Sequence, residues 1–421
     1  MIRNYLKIAM KVLLRRKFFT FISLFGVSLT LVVLLVATAM LDHVFAPQAP
    51  EVLGHRTLGV YMMAEMGPDA TRTSFAGYQF LDRYVRPMTQ LPSVEAVTFF
   101  SLPATGISYL NGKKIESMVK HTDGAFWQVL RFDFLEGGPF TAEDDRNARF
   151  VAVINEATRD KFFAGQPALG KTLEVDGQRF RVVGVVPNIP ILRFAPYADV
   201  WVPIGTSKSD TYKRELVGNF MGLIVARSRA DFPQVKSEVQ ARLQQAESLF
   251  ATQPDGKMFK DLAGGADTPF EAVSRMMLSS KMDESRPERL LMILIGLAVV
   301  FMLLPTVNLV NINLSRILDR SSEIGVRKAF GASSWTLVGQ FVVENVVLTL
   351  VGGAVGLALA GLALHAINAS GVIPFAHLAL NFRVFLIGLG LALFFGLFSG
   401  VYPAWRMSRL HPVMALRGRS I

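Results

Sequence analysis

The chain has 421 residues, 51% of them hydrophobic, a formal net charge of +11 and no cysteine. Without cysteine there is no disulfide scaffold, no thiolate metal site and no cysteine nucleophile. A basic excess spread over a soluble surface would point to nucleic acid, but here it hugs apolar runs, so nucleic acid is not an expected partner.

Residues 1–17 carry Arg3, Lys7, Lys11, Arg15, Arg16 and Lys17 and no acid. Arg3, Lys7, Lys11 and Arg15 step by four, while Ile2, Leu6, Ala9 and Leu13 mark another face. The pattern predicts an amphipathic helix lying on the inner leaflet. Phe18 to Leu41 has no charge and is long enough to cross a bilayer, giving a first span over 18–42. The run continues past Val36-Ala37-Thr38-Ala39, which argues against a cleaved signal. Three more apolar runs predict spans at 290–313, 335–366 and 383–405. The second is broken only by Pro305 and Asn308, and the third carries one charge, Glu344. The basic start, the basic loop 314–334 and the basic tail 406–421 then fall on one side of a four-span topology, as the positive-inside rule requires. Both termini are expected in the cytoplasm. Residues 43–289 and the short loop 367–382 are expected outside a bacterial inner membrane.

The outer stretch is long enough to bury a full core. A helical pattern over Ser74–Gln90 leads to a strand at Val94–Phe100. Met221–Ala226 reads as a strand, followed by a helix from Asp231, as N-cap, to about Phe250. Between them lie strand candidates Lys113–Lys120, Phe150–Ile154, Thr172–Val175 and Phe180–Val186, with Asp176-Gly177 as a hairpin turn and a short helix at Asn155–Phe163. The expected build is an α+β extracytoplasmic domain. Residues 48–100 and 215–280 would form a porter-like α/β part, with 101–214 as a β-rich insert. Gly256, Gly264 and Gly265 predict a loose loop before the return to the membrane.

Gly165 to Thr172 matches the phosphate-loop pattern G-x-x-x-x-G-K-T. That motif needs a strand before it and a helix after it, so that a helix N-terminus meets the phosphates. Here a helix precedes and a strand follows, and Pro167 removes one amide. Nucleotide binding is therefore not expected, and the segment reads as a turn. The six histidines show no ligand-spaced pair. No catalytic residue, metal site or cofactor is expected on this chain.

Two groups of residues carry more information. The loop from Ser315 to Ser333 mixes both charges with apolar residues at 317, 318, 324, 326, 329 and 330, and Gly331 suits a helix C-cap. This predicts a short surface helix made to be gripped from the cytoplasm. In the third span, an ionised Glu344 facing lipid would be costly, so it should point to protein or water. Gly352, Gly353 and Gly356 predict close packing against a neighbouring helix. Asn308 is a hydrogen-bonding candidate of the same kind.

Glu323-Ile324-Gly325-Val326-Arg327-Lys328-Ala329-Phe330-Gly331-Ala332 resembles the signature of the FtsX-like permease family of ABC transporters. Phe126 through Asp144, Asn155-Glu156-Ala157, Gly170-Lys171-Thr172 and Val183-Gly184-Val185 resemble the outer domain of its MacB branch. Pro403 to Val413 resembles the family's C-terminal ending. The resemblance implies that Glu323, Ile324, Gly325, Arg327, Lys328, Gly331 and Ala332 belong to a coupling helix that docks on an ATPase. Since MacB carries its ATPase ahead of the membrane part and this chain begins at a span, a separate ATPase subunit holding ATP and Mg is expected. The resemblance further implies a dimer with an identical or related permease, and a periplasmic adaptor or carrier. The implied function is mechanotransmission. ATP hydrolysis inside drives work outside, in efflux or extraction of a peptide, drug or lipid-linked substrate. The rival reading is a regulatory or scaffolding permease that controls a periplasmic partner.

Overall fold

The computed structural model describes residues 17–46, 49–69, 71–110, 112–247, 259–319 and 333–408, with single positions 11, 14, 15, 326 and 330 besides. The chain divides into two compact units: Val44–Leu291 with Ile373–Ala376, and a second one made from the long helices.

The first unit is built on a 13-stranded sheet. At its centre, β12 (Phe220–Ala226) is buried along its whole length. Its run of apolar residues suits a strand covered on both faces. It pairs antiparallel with β1 (Thr57–Met66) on one side and β3 (Val94–Ser101) on the other. On one face, helix α3 (Phe232–Glu247) lays Val235, Val239 and Leu243 on the sheet beside Phe80, Leu81 and Val85. On the other face, Met221, Leu223 and Val225 meet an aromatic cluster of Phe100, Phe126, Trp127, Phe140 and Trp201.

The sheet continues into the stretch 101–214. Here β5 (Lys113–Thr122), β10 (Val200–Pro203), β7 (Val151–Asn155) and β9 (Gln178–Val186) follow one another. The β4 strand (Ala104–Leu110) pairs with β5, and β8 (Thr172–Val175) with β9. Asp176 and Gly177 turn the β8–β9 hairpin, both at positive φ, as a two-residue hairpin turn demands. Asn155 caps α2 (Glu156–Phe163), its side chain accepting from Thr158 N at 2.8 Å.

Three local readings are corrected. The helical segment expected from Ser74 begins at Tyr78, because Thr71–Ala76 is strand β2 on the edge of β1. Asp231 is not an N-cap. Ser228 caps the preceding turn, and Asp231 answers it by accepting Ser228 N at 2.9 Å. Gly264 and Gly265 are not loop residues. They lie in β13 (Asp261–Asp267), paired with β1. A side chain at Gly265 would come within 2.5 Å of the Arg275 guanidinium, so the glycine makes room for that arginine. Gly256 lies outside the described residues.

Among the described residues are four long helices: α1 (Lys17–Phe45), α5 (Pro287–Asp319), α6 (Ser334–Ser370) and α7 (Phe382–Ser408). Among the described residues, Lys17–Phe45 and Val338–Ser370 are long and apolar enough to cross a membrane, and Phe382–Phe394 is a shorter apolar helix. Gly371, left-handed at φ 65°, ends α6. Asn368 then exchanges two 3.0 Å hydrogen bonds with the backbone of Leu378, closing the turn toward α7.

The two halves of the sheet meet where β3 touches β5, at Phe100 and Thr122. Asp123 clasps this seam. It accepts from Thr98 Oγ1 at 2.6 Å, Phe99 N at 3.2 Å and Phe126 N at 3.1 Å. Burial pushes its carboxyl up from 3.8 to about 6. The folded state therefore favours the protonated form. That contribution is full below about pH 4 and is lost as pH rises through about 6. Buried His121, pushed down to about 4, acts in the opposite direction. Asp123→Asn should remove the first effect alone. Relative to the variant, the native chain is expected to lose about 2 kcal/mol between pH 4 and 7, measured by denaturant unfolding across that range.

Candidate functional site

The helical unit holds a seam of missing side chains. A Cβ at Gly352 would lie 3.0 Å from Val27 Cγ1, and one at Gly356 would lie 3.1 Å from Leu31 Cβ, both on α1. Gly353 faces the other way, where a Cβ would meet Leu389 of α7 at 2.6 Å. One glycine triplet thus lets α6 approach two neighbours. The approach is close enough for Ser28 Oγ on α1 to donate to the Gly352 carbonyl at 2.8 Å. Leu31, Leu35, Leu348 and Ala360 are buried around it.

Nearer the start of α6 the seam turns polar. Glu344 is buried, and Gln340, one turn earlier, donates to its Oε1 at 3.1 Å. Asn345 and Thr349 are buried beside them. Asn308 sits on α5, but its side-chain surroundings lie outside the described residues, as do Glu323, Ile324, Gly325, Arg327, Lys328, Gly331 and Ala332. Between Glu323 and Ala332, Val326 and Phe330 are described. They are joined by a helical hydrogen bond of 3.1 Å and are 45% and 89% exposed.

Sequence reasoning missed a second set of residues, on the α/β unit. Arg193 fixes the segment that follows α1. It donates to the carbonyls of Ala46 at 3.0 Å and Ala49 at 3.3 Å, and its Nε lies 3.0 Å from Glu51. The fully buried Lys120 holds the Arg193 loop through the carbonyls of Phe194 and Ala195, at 3.0 and 2.6 Å. Burial pushes Lys120 well down and Glu51 up, while Arg193 pulls Glu51 back. The other connector is held by Arg275, which grips Asp267 with two bonds of 2.6 and 3.0 Å and donates to Met282 O at 2.8 Å. The one available signal was a lone charge, Arg193, in an apolar, proline-rich loop. Arg275 gave none, because its partner is on a strand that the sequence disguised as a loop.

A cavity of about 470 Å³ opens beside the Asp123 clasp, lined in part by Tyr78, Arg86, Asp145, Arg146, Tyr212 and Lys213. Burial pushes both tyrosines up to about 12. The phosphate-loop lookalike lies elsewhere, between α2 and β8, with Gly165 and Gly170 at positive φ. It has the helix-turn-strand order, and Lys171 sits 5.2 Å over the Phe163 ring.

Two substitutions test these contacts. Gly352→Leu should drive α6 off Val27 and lower the thermal midpoint in detergent. Gly339→Leu on the same helix, where a Cβ meets nothing within 4 Å, should leave it nearly unchanged. Arg275→Met leaves Asp267 buried without its partner and is expected to cost about 3–5 kcal/mol, read from urea unfolding by the fluorescence of Trp127 and Trp201.

A family model for the MacB-like periplasmic core domain matches residues 20–242, and one for the FtsX-like permease C-terminal region matches residues 295–412. The macrolide export ATP-binding/permease protein MacB of Bdellovibrio bacteriovorus is 26% identical over 333 residues, 78% of this chain and 48% of that protein. The pyoverdine export ATP-binding/permease protein PvdT of Pseudomonas fluorescens is 27% identical over 336 residues, 79% of this chain and 47% of that protein. The chain spans about half the length of the curated relatives it matches. Among solved structures, the periplasmic region of MacB from Actinobacillus actinomycetemcomitans aligns with a TM-score of 0.35 and 16% identity, covering 50% of this chain and 87% of that one. With a MacB-like core domain over more than half its length and an FtsX-like region behind it, the chain belongs to the MacB-like, FtsX-containing family of ABC transporter permeases.

Proposed function

We propose that this chain is the membrane subunit of a MacB-like transporter and works by mechanotransmission. It crosses the inner membrane four times with both termini in the cytoplasm, and its α/β unit stands in the periplasm. A partner ATPase docks on the loop around Glu323–Ala332. A second permease, identical or related, completes the assembly, and a periplasmic adaptor or carrier receives the substrate. The cargo is a peptide, drug or lipid-linked molecule, moved by efflux or extraction.

The observation that carries this reading is the double engagement of α6. Its first residue, Ser334, follows the exposed Val326–Phe330 pair within a few positions. Further along, its glycines hold it against α1. A push on the loop therefore reaches α1 through backbone-close contacts, which shift as discrete packings rather than deform smoothly. The charged Glu323, Arg327 and Lys328 supply ionic contacts to the ATPase, and Val326 and Phe330 supply an apolar one. The cavity at Tyr78, Arg86 and Tyr212 offers both charge signs and aromatic faces to a cargo group.

The test is stimulation of the ATPase by the reconstituted permease. Glu323→Lys with Arg327→Glu, and separately Phe330→Asp, should bring ATP hydrolysis back to the unstimulated rate and weaken co-purification. Unchanged stimulation and assembly would refute the coupling role.

A further inference from the structure

Helix α4 (Pro269–Leu278) wears its side chains inside out. Its two charges turn inward. Glu271 is bound by Lys236 at 2.5 Å and caps its own helix with Thr268, and Arg275 is buried in its pair with Asp267. Pro269, Met276 and Met277 are exposed, the two methionines at 53% and 64%, with Val273 half-buried between them. These four positions follow the spacing of one helical stripe, and the stripe has no charge.

The same helix is bonded to the points where the chain enters two long apolar helices. Phe45, the last residue of α1, meets Phe270 edge to face with ring centroids 5.8 Å apart. Ser274 Oγ accepts from the backbone N of Arg286 at 3.0 Å, and α5 begins at the next residue. The loop between is drawn in by Arg275 on Met282 O. Along the chain, α4 is therefore tied to the residues that adjoin both apolar helices.

We infer that the stripe Pro269, Val273, Met276 and Met277 rests on the outer-leaflet interface of the membrane, in contact with lipid. This inference rests on the four-span reading above. Amphipathic helices bind bilayers by sinking an apolar face to the level of the headgroup and acyl boundary. Unbranched methionine adapts to that irregular surface. Exposed Lys281, just past the helix, can extend its ammonium to lipid phosphates while its stem stays apolar. A second copy of the chain fits the stripe less well. A ten-residue helix is about 15 Å long and roughly 10 Å wide. Its one face offers on the order of 150 Å², against about 800 Å² per partner in a stable interface.

The chain's lack of cysteine makes single-site spin labelling direct. Full-length protein carrying Met277→Cys, or Met276→Cys in parallel, is reconstituted in phosphatidylethanolamine and phosphatidylglycerol vesicles. Collision with oxygen, which concentrates in lipid, is compared with collision with an aqueous nickel chelate. Val33→Cys on α1 is the lipid reference, and Tyr109→Cys, 73% exposed on β4, is the aqueous one. The oxygen-to-nickel ratio at 277 is expected several-fold above that at 109 and close to that at 33. A value at 277 matching 109, with 33 still in lipid, overturns the inference and leaves the four-span reading standing. Dipolar broadening between labels at 277 would assign the stripe to a second copy and also overturn it. An aqueous signal at 33 removes the membrane itself, and both readings fall together.

Discussion

Where α6 crosses α1, two glycines and one serine do what apolar bulk cannot do in lipid. Hydrocarbon tails are as apolar as leucine, so helices gain little from hiding leucines against each other. What remains is contact area, backbone proximity and hydrogen bonding. Gly352 and Gly356 bring the backbones close, and Ser28 converts the proximity into a bond to a carbonyl that already serves α6. The polar group at Gln340 and Glu344 sits one stretch further along the same helix. Rearranging this seam would need both helices to find another set of small residues.

The α/β unit is stiff for a different reason. Its central strand is covered on both faces, and the core on one of them draws from both halves of the sheet: Phe100 and Met221 from one, Trp127 and Trp201 from the other. Buried arginines then tie the chain's two connectors to this body, Arg193 behind α1 and Arg275 ahead of α5. Each is a charge removed from water and therefore costly unless every donor is used. Both spend their donors on connector carbonyls as well as on a carboxylate, so loosening a connector would leave a buried cation short of partners.

The long apolar runs were legible because a charge-free stretch has few other uses, and Asp176-Gly177 because only a tight hairpin wants two left-handed residues in a row. The glycine spacing on the third run was legible as a surface for close approach, but its partners were not. Nothing in the spacing says that Gly352 looks at Val27 while Gly353 looks at Leu389. Gly264 and Gly265 misled because glycine marks a loop by default. Here Gly265 clears space for a guanidinium that arrives from a later helix, while Gly264 sits against Met63 of β1, and no local pattern encodes a long-range clearance. Ser74 failed for a similar reason. The apolar spacing from Phe75 onward fits a helix, but pairing with β1 claims Thr71–Ala76 first. Arg193 and Lys120 reveal their roles only once the loop carrying Phe194 and Ala195 has folded over the connector.

The position of β12 carries a consequence for biogenesis. β1 and β3 are made early, yet they never touch along the sheet; β12 lies between them. As the polypeptide emerges, both strands must wait with open inner edges until the entire 101–214 stretch has followed. Such non-local pairing is slow to form and leaves sticky backbone on display. A holdase that shields extended segments would bind this nascent domain most strongly just before Phe220–Ala226 appears.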